Sequence, residues 1–135
     1  MLYGLRREPE SLLDLTGRRL SAAPAPQDVG PVVVQAVCEA LHLPGAQLRL
    51  AGEGDALAQA GPEPGTSWSF PLRHAGEVVG TLTVGARRAQ REPDAADRAA
   101  LERFAVQAAP AVAALRLTRR LSAARTRLVL SLIHI

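Results

Sequence analysis

The side chains able to do chemistry are few and lie far apart along the chain. The histidines are His42, His74 and His134, at a helix end, a hairpin turn and the closing residues. No two of them have the spacing of a metal-ligand pair. Cys38 is the single cysteine. It lies beside Val37 in an apolar run and reads as a small buried hydrophobe, and one cysteine excludes an internal disulfide or a CxxC motif. Glu53 and Asp55 share a glycine-rich turn, while Asp94 and Asp97 open a helix, where acids cap the end and complement its dipole. Gly76, Gly80 and Gly85 follow a strand, whereas a phosphate-cradling loop needs its glycines between a strand and a helix. No GxSxG, GxxxxGK[ST] or HExxH run occurs. These residues imply no catalysis, no metal and no cofactor, so the chain reads as a non-enzyme.

What the remaining residues specify is a scaffold. Leu5, Leu12, Leu13, Leu15 and Leu20 recur at helical spacing and predict a helix over 2–23, ended by Pro24-Ala25-Pro26. A second helix starts at Gln27 or Asp28, with Pro31 expected in its first turn. Its stripe is Val33, Val37, Ala40 and Leu41, and Pro44-Gly45 ends it. Alternation then predicts a strand over 46–50, a turn over 52–55 and a hairpin partner over 56–60. After a loop over 61–65, the clearest strands are 67–73 and 77–84, joined by a tight turn at His74-Ala75-Gly76 where glycine supplies the positive φ. In the second of these, Val78, Gly80, Leu82 and Val84 are expected on one face, and Thr81 and Thr83 on the other.

From Asp94 the pattern is helical again. Leu101, Ala105, Ala108, Val112 and Leu115 form one stripe; Ala114, Leu117, Leu121, Ala124 and Leu128 form a second. Pro110 stands near the handover and is expected to kink the helix. A helix from Asp94 to Leu130 would run about 55 Å, longer than so small a domain can cover. The far stripe therefore calls for a partner helix, most simply its own copy in a homodimer.

The chain of 135 residues suits one domain, with 47% apolar and 21% charged residues as in globular proteins, but only 3% aromatic residues. Its apolar run Ala105–Leu115 contains Gln107 and Pro110 and is too short for a membrane span. Arg6, Arg7, Glu8 and Glu10 occupy the place of a secretory signal's apolar segment, so a cytoplasmic location is expected, with a membrane anchor elsewhere in a longer parent left open. Every basic residue is arginine, and the net charge is +1 over 1–20, −4 over 21–86 and +6 over 87–135. Beyond Phe104 five arginines meet no acid in the sequence. They alternate with Leu and Ala, as on the solvated side of an amphipathic helix; a polyanion-binding helix is the alternative, supported by charge alone. Residues 131–135 hold the only isoleucines and read as a tail foreign to the rest, or else as a hydrophobic native terminus.

The runs FPLRHAGEVVGTLTVG (70–85), PDAADRAALERFAVQAAPAV (93–112), LRLTRRLSAARTRLV (115–129) and VVVQAVCEALHLPGAQLRL (32–50) resemble the GAF domains of actinobacterial sensor histidine kinases. The resemblance spans about residues 18 to 130. It implies an α+β fold: an antiparallel sheet with helices on one face and long first and last helices packed together. It divides the chain into an N-terminal linker helix (1–23), a GAF-like sensory domain (24–113), a signalling helix (114–130) and the tail (131–135). In that family a phosphoacceptor segment with an HDGLGP-like box and an ATP-binding domain follow, and this chain stops before either.

The function implied is a non-catalytic sensory and dimerisation module of a two-component kinase, with Leu117, Leu121 and Leu128 as the transmitting seam. The downstream kinase domains and a response regulator would be its partners. The alternative is a small-molecule receptor with a pocket lined by Trp68, Phe70 and the segment Leu57–Gly65. The loop over 61–65 is short for a ligand-binding GAF domain, and Cys38 does not match a bilin-attaching cysteine.

Overall fold

The computed structural model describes residues 9–21, 25–62, 65–86 and 94–133. Its elements are α1 (Pro9–Ser21), α2 (Pro26–Leu41), β1 (Ala46–Leu50), β2 (Ala58–Ala60), β3 (Ser67–His74), β4 (Glu77–Gly85) and α3 (Ala95–Ile133). The parts of the first expected helix over 2–8 and 22–23 lie outside the described residues, as do Pro24, Glu63, Pro64, Pro93, His134 and Ile135.

Helix α2 begins one or two residues earlier than expected, with Pro26 in the first turn, where a missing N–H costs nothing. Pro31 consequently falls in the second turn, inside the helix and not at its start. Its end is set by His42 in the left-handed conformation (φ 52°), ahead of Pro44-Gly45. The chain reversal leaves the Leu43 N–H bonded to the Cys38 carbonyl at 3.1 Å.

The strands form one antiparallel sheet in the order β2-β1-β4-β3. Register puts Ala46, Leu48 and Leu50 beside Val84, Leu82 and Gly80, and these beside Trp68, Phe70 and Leu72. That face is apolar and carries the helices: α2 lies against β1 and β2, α3 against β3 and β4, and α1 packs on both helices. On the other face Gln59, Gln47, Thr83 and Ser69 form a polar row across all four strands. Within that row Gln47 Nε2 donates to Gln59 Oε1 at 2.9 Å, and the Ser69 and Thr83 hydroxyls lie 3.1 Å apart.

A bulge between β3 and β4 changes one expected face. Leu72 pairs with Gly80 but Arg73 pairs with Val78, so Val79 has no partner and the period of two is interrupted there. Val79 is buried in the core, while Val78, expected on the inner face, is only half-buried. The β3–β4 turn also departs from expectation, because Ala75 (φ 54°) as well as Gly76 (φ 78°) is left-handed. Two consecutive positive φ values are what a two-residue hairpin turn of right-handed strands demands, and alanine is strained in the first position. Ala75→Asn is therefore expected to stabilise the domain by about 1 kcal/mol, read as a higher urea midpoint with an unchanged slope. A midpoint at or below that of the parent would contradict the strain.

The first stripe of α3 is buried where the sequence places it. Leu101, Ala105, Ala108, Val112 and Leu115 are buried; so are Ala100, Phe104 and Ala109, because α3 is covered by α1 as well as by the sheet. The helix continues through Pro110 for 39 residues. Asp14 of α1 lies 3.8 Å from Arg103, and Gly17 abuts Gln107. The contacts advance together along both chains, so α1 and α3 run in the same direction. No helix among the described residues is long and apolar enough to cross a membrane.

Candidate functional site

The domain cover ends at Leu115, and from there α3 is exposed on every side except one. Leu117, Leu121 and Leu128 are 58%, 63% and 62% exposed, aligned on one flank. Val129, Leu130, Leu132 and Ile133 extend the apolar surface toward the end of the helix. Large apolar side chains thus stand exposed along one flank of the helix, not scattered singly.

The opposite flank of the same turns is tied to the sheet. Arg116 donates through Nε to the Ala51 carbonyl at 3.2 Å and through Nη1 to Glu77 Oε1 at 3.3 Å. Arg119 grips Glu53 with two bonds of 2.9 Å. Ala51 and Glu53 belong to the β1–β2 connection, and Glu77 follows the β3–β4 turn. Two of the five arginines beyond Phe104 thus meet acids after all, across more than 35 residues of sequence. Separation on that scale is why the pairs are not legible in the sequence. Each pair has a solvent-exposed partner, so it contributes little to stability, about 0.2–1 kcal/mol, and their effect is to fix which way α3 faces as it leaves the domain.

The residues expected to form a ligand pocket are divided between two places. Trp68 and Phe70 lie on β3, at one edge of the sheet, and line a cleft of about 430 Å³ between β3 and the first turns of α3. Leu57 lies at the other edge, where its N–H bonds to the Leu48 carbonyl at 2.8 Å and its side chain sits against Gly30 of α2. Leu57 and Trp68 therefore cannot face one ligand. The cleft instead takes Arg73 from β3 and Arg98, Glu102, Ala105 and Val106 from α3. Arg98 and Glu102 lie between the cap and the buried stripe of α3, and nothing in their spacing points to a site.

Chemistry of other kinds finds little footing. Among the described residues no three His, Cys, Asp or Glu side chains gather as a metal site would require. Cys38 is half-buried, and burial, reinforced by the charge of Glu39, raises its thiol above the ordinary value. The thiolate is accordingly disfavoured at neutral pH, the reverse of a reactive cysteine.

No curated protein sequence matches the chain. Among solved structures, the GAF domain of a phosphoenolpyruvate-protein phosphotransferase from Coxiella burnetii superposes with a TM-score of 0.69 at 16% identity, covering 84% of this chain and 97% of that one. The GAF domain of the potassium sensor histidine kinase KdpD from Escherichia coli gives 0.60 at 18% identity, covering 84% and 96%. That of a protein assigned as a sensor histidine kinase from Pseudomonas syringae pv. tomato gives 0.59 at 23%, covering 83% and 90%. These likenesses are of fold. The sequence model of the GAF domain matches residues 28–113, well over half of the chain, from the first turn of α2 to the last buried turns of α3. The chain belongs to the GAF domain family.

Proposed function

We propose that the chain is a non-catalytic regulatory module that self-associates through the exposed flank of α3 and passes a signal along that helix to a histidine kinase. GAF domains are regulatory modules in general, and two of the structural neighbours come from sensor kinases. The observation that carries the reading is the row Leu117, Leu121 and Leu128, each more than half exposed on a helix that outruns its domain. Two copies laid side by side would bury it in a parallel helix pair. Such a pair has discrete arrangements, and a signal acts on it only by favouring one over another. On this reading residues 24–113 sense, 114–130 transmit, and a cytoplasmic kinase and response regulator lie downstream.

The test is self-association. The chain is expected to sediment as a dimer at micromolar concentration and Leu121→Asp as a monomer, because a buried carboxylate in the seam lacks a partner. A dimer of unchanged stability in Leu121→Asp would refute the interface. The cleft beside Trp68 favours a second reading, a domain that also receives a small molecule, and the chemistry of that cleft can be taken further.

A further inference from the structure

The geometry points to the β3–α3 cleft as a binding site for a small organic monocarboxylate with a compact apolar body. Its volume of about 430 Å³ falls within the range of small-molecule sites. Phe70 and Ala105 make a buried apolar floor, half-buried Trp68 stands at one side, and Val106, 72% exposed, forms the lip. These surfaces suit a ring or a branched chain of a few carbons.

The rim supplies the charge. Arg103, Arg116 and Arg119 each take an acid of the domain. Arg73 of β3 and Arg98 of α3 both border the cleft and have no ion pair and no side-chain hydrogen bond among the described residues. Glu102, the one acid among the described residues that line the cleft, is paired with neither. Among the described residues the lining thus holds two cations against one anion, a surplus that suits a carboxylate. A guanidinium presents two parallel donors to a carboxylate, which gives direction as well as attraction.

The edge position selects a small molecule over an extended peptide. The Thr66 carbonyl accepts from Ala86 at 2.8 Å, so residues 66, 68, 70 and 72 turn their backbone groups toward β4 and residues 67, 69 and 71 turn theirs outward. Pro71 therefore stands where an added strand would need an N–H, which makes the edge a poor template. Because one wall is β3 and the other α3, an occupant touching both would favour one position of α3 over others. That consequence rests on the regulatory reading; binding itself does not.

Trp68 is the only tryptophan, so its indole N–H gives a single cross-peak in the spectrum of the nitrogen-15-labelled chain. Titration with benzoate at fixed pH and ionic strength is expected to move that peak to saturation, with a dissociation constant of the order of 1 mM. Benzamide should bind at least about tenfold more weakly and benzylamine should leave the peak in place. Both Arg98→Gln and Arg73→Gln, exposed positions whose replacement leaves the fold intact by circular dichroism, should weaken benzoate about fivefold or more. The same titration of Leu121→Asp should be unchanged, which separates failure of binding from failure of self-association. Absence of saturation, equal shifts with benzamide or inorganic phosphate, or indifference to both arginine variants would overturn the proposal. A shift produced by an extended acidic peptide and not by benzoate would overturn it in favour of strand addition.

Discussion

Phe104→Ala is expected to lower the stability of the domain by about 3–5 kcal/mol, a large share of the roughly 5–15 kcal/mol that domains of this kind possess. Phe104 heads the largest fully buried side chains, with 0% of its surface exposed. It stands on the part of α3 that is covered by both α1 and the sheet, so removing the ring opens a void between three elements. Leu101, Ala105 and Ala108 cannot fill it without shifting the helix axis. Urea unfolding followed by circular dichroism measures the loss. A change below about 1 kcal/mol at unchanged slope would mean that the core relaxes far more readily than its density implies.

Gly80→Val should be nearly as severe, by the opposite mechanism. A Cβ at Gly80 would stand 2.9 Å from the Arg49 carbonyl oxygen and 3.3 Å from Val112 Cγ1. The first is backbone of the central pair β1–β4, which cannot give way without breaking the ladder. The second is a buried side chain of α3 that packs on the sheet at this point. Overfilling this contact is expected to cost about 2–3 kcal/mol. It should also lift α3 at Val112, four residues before Arg116, and so loosen the grip on Ala51, Glu53 and Glu77. Hydrogen exchange should quicken in the β1–β2 connection of Gly80→Val well before global unfolding. Exchange unchanged there, with stability within about 0.5 kcal/mol of the parent, would show that α3 does not bear on the sheet at this point.

The fold was largely open to a reader of the sequence because its signals are local. Strand β1 has the expected bounds, although Gln47 on its polar face is buried as well; β3 and β4 lie within one residue of theirs, and the buried half of α3 follows the spacing of Leu101 to Leu115. What escaped notice depends on residues remote in sequence. Val79 replaces Val78 in the core because of a bulge that only pairing with β3 creates. Arg116 and Arg119 find acids through loops that the chain brings round late. The cleft is hidden for the same reason: Arg73 and Arg98 border one cavity only once β3 and α3 have docked, and Leu57 leaves the neighbourhood when β2 takes the far edge.

The shared direction of α1 and α3 has a topological consequence. A polypeptide that comes in at one pole and goes out at the other works as an in-line coupling, not as a side branch. Units of that kind can be strung one after another, each exit serving as the next entrance, without turning the path back on itself. Torque or displacement applied upstream would then have to traverse the globule to reach whatever lies below.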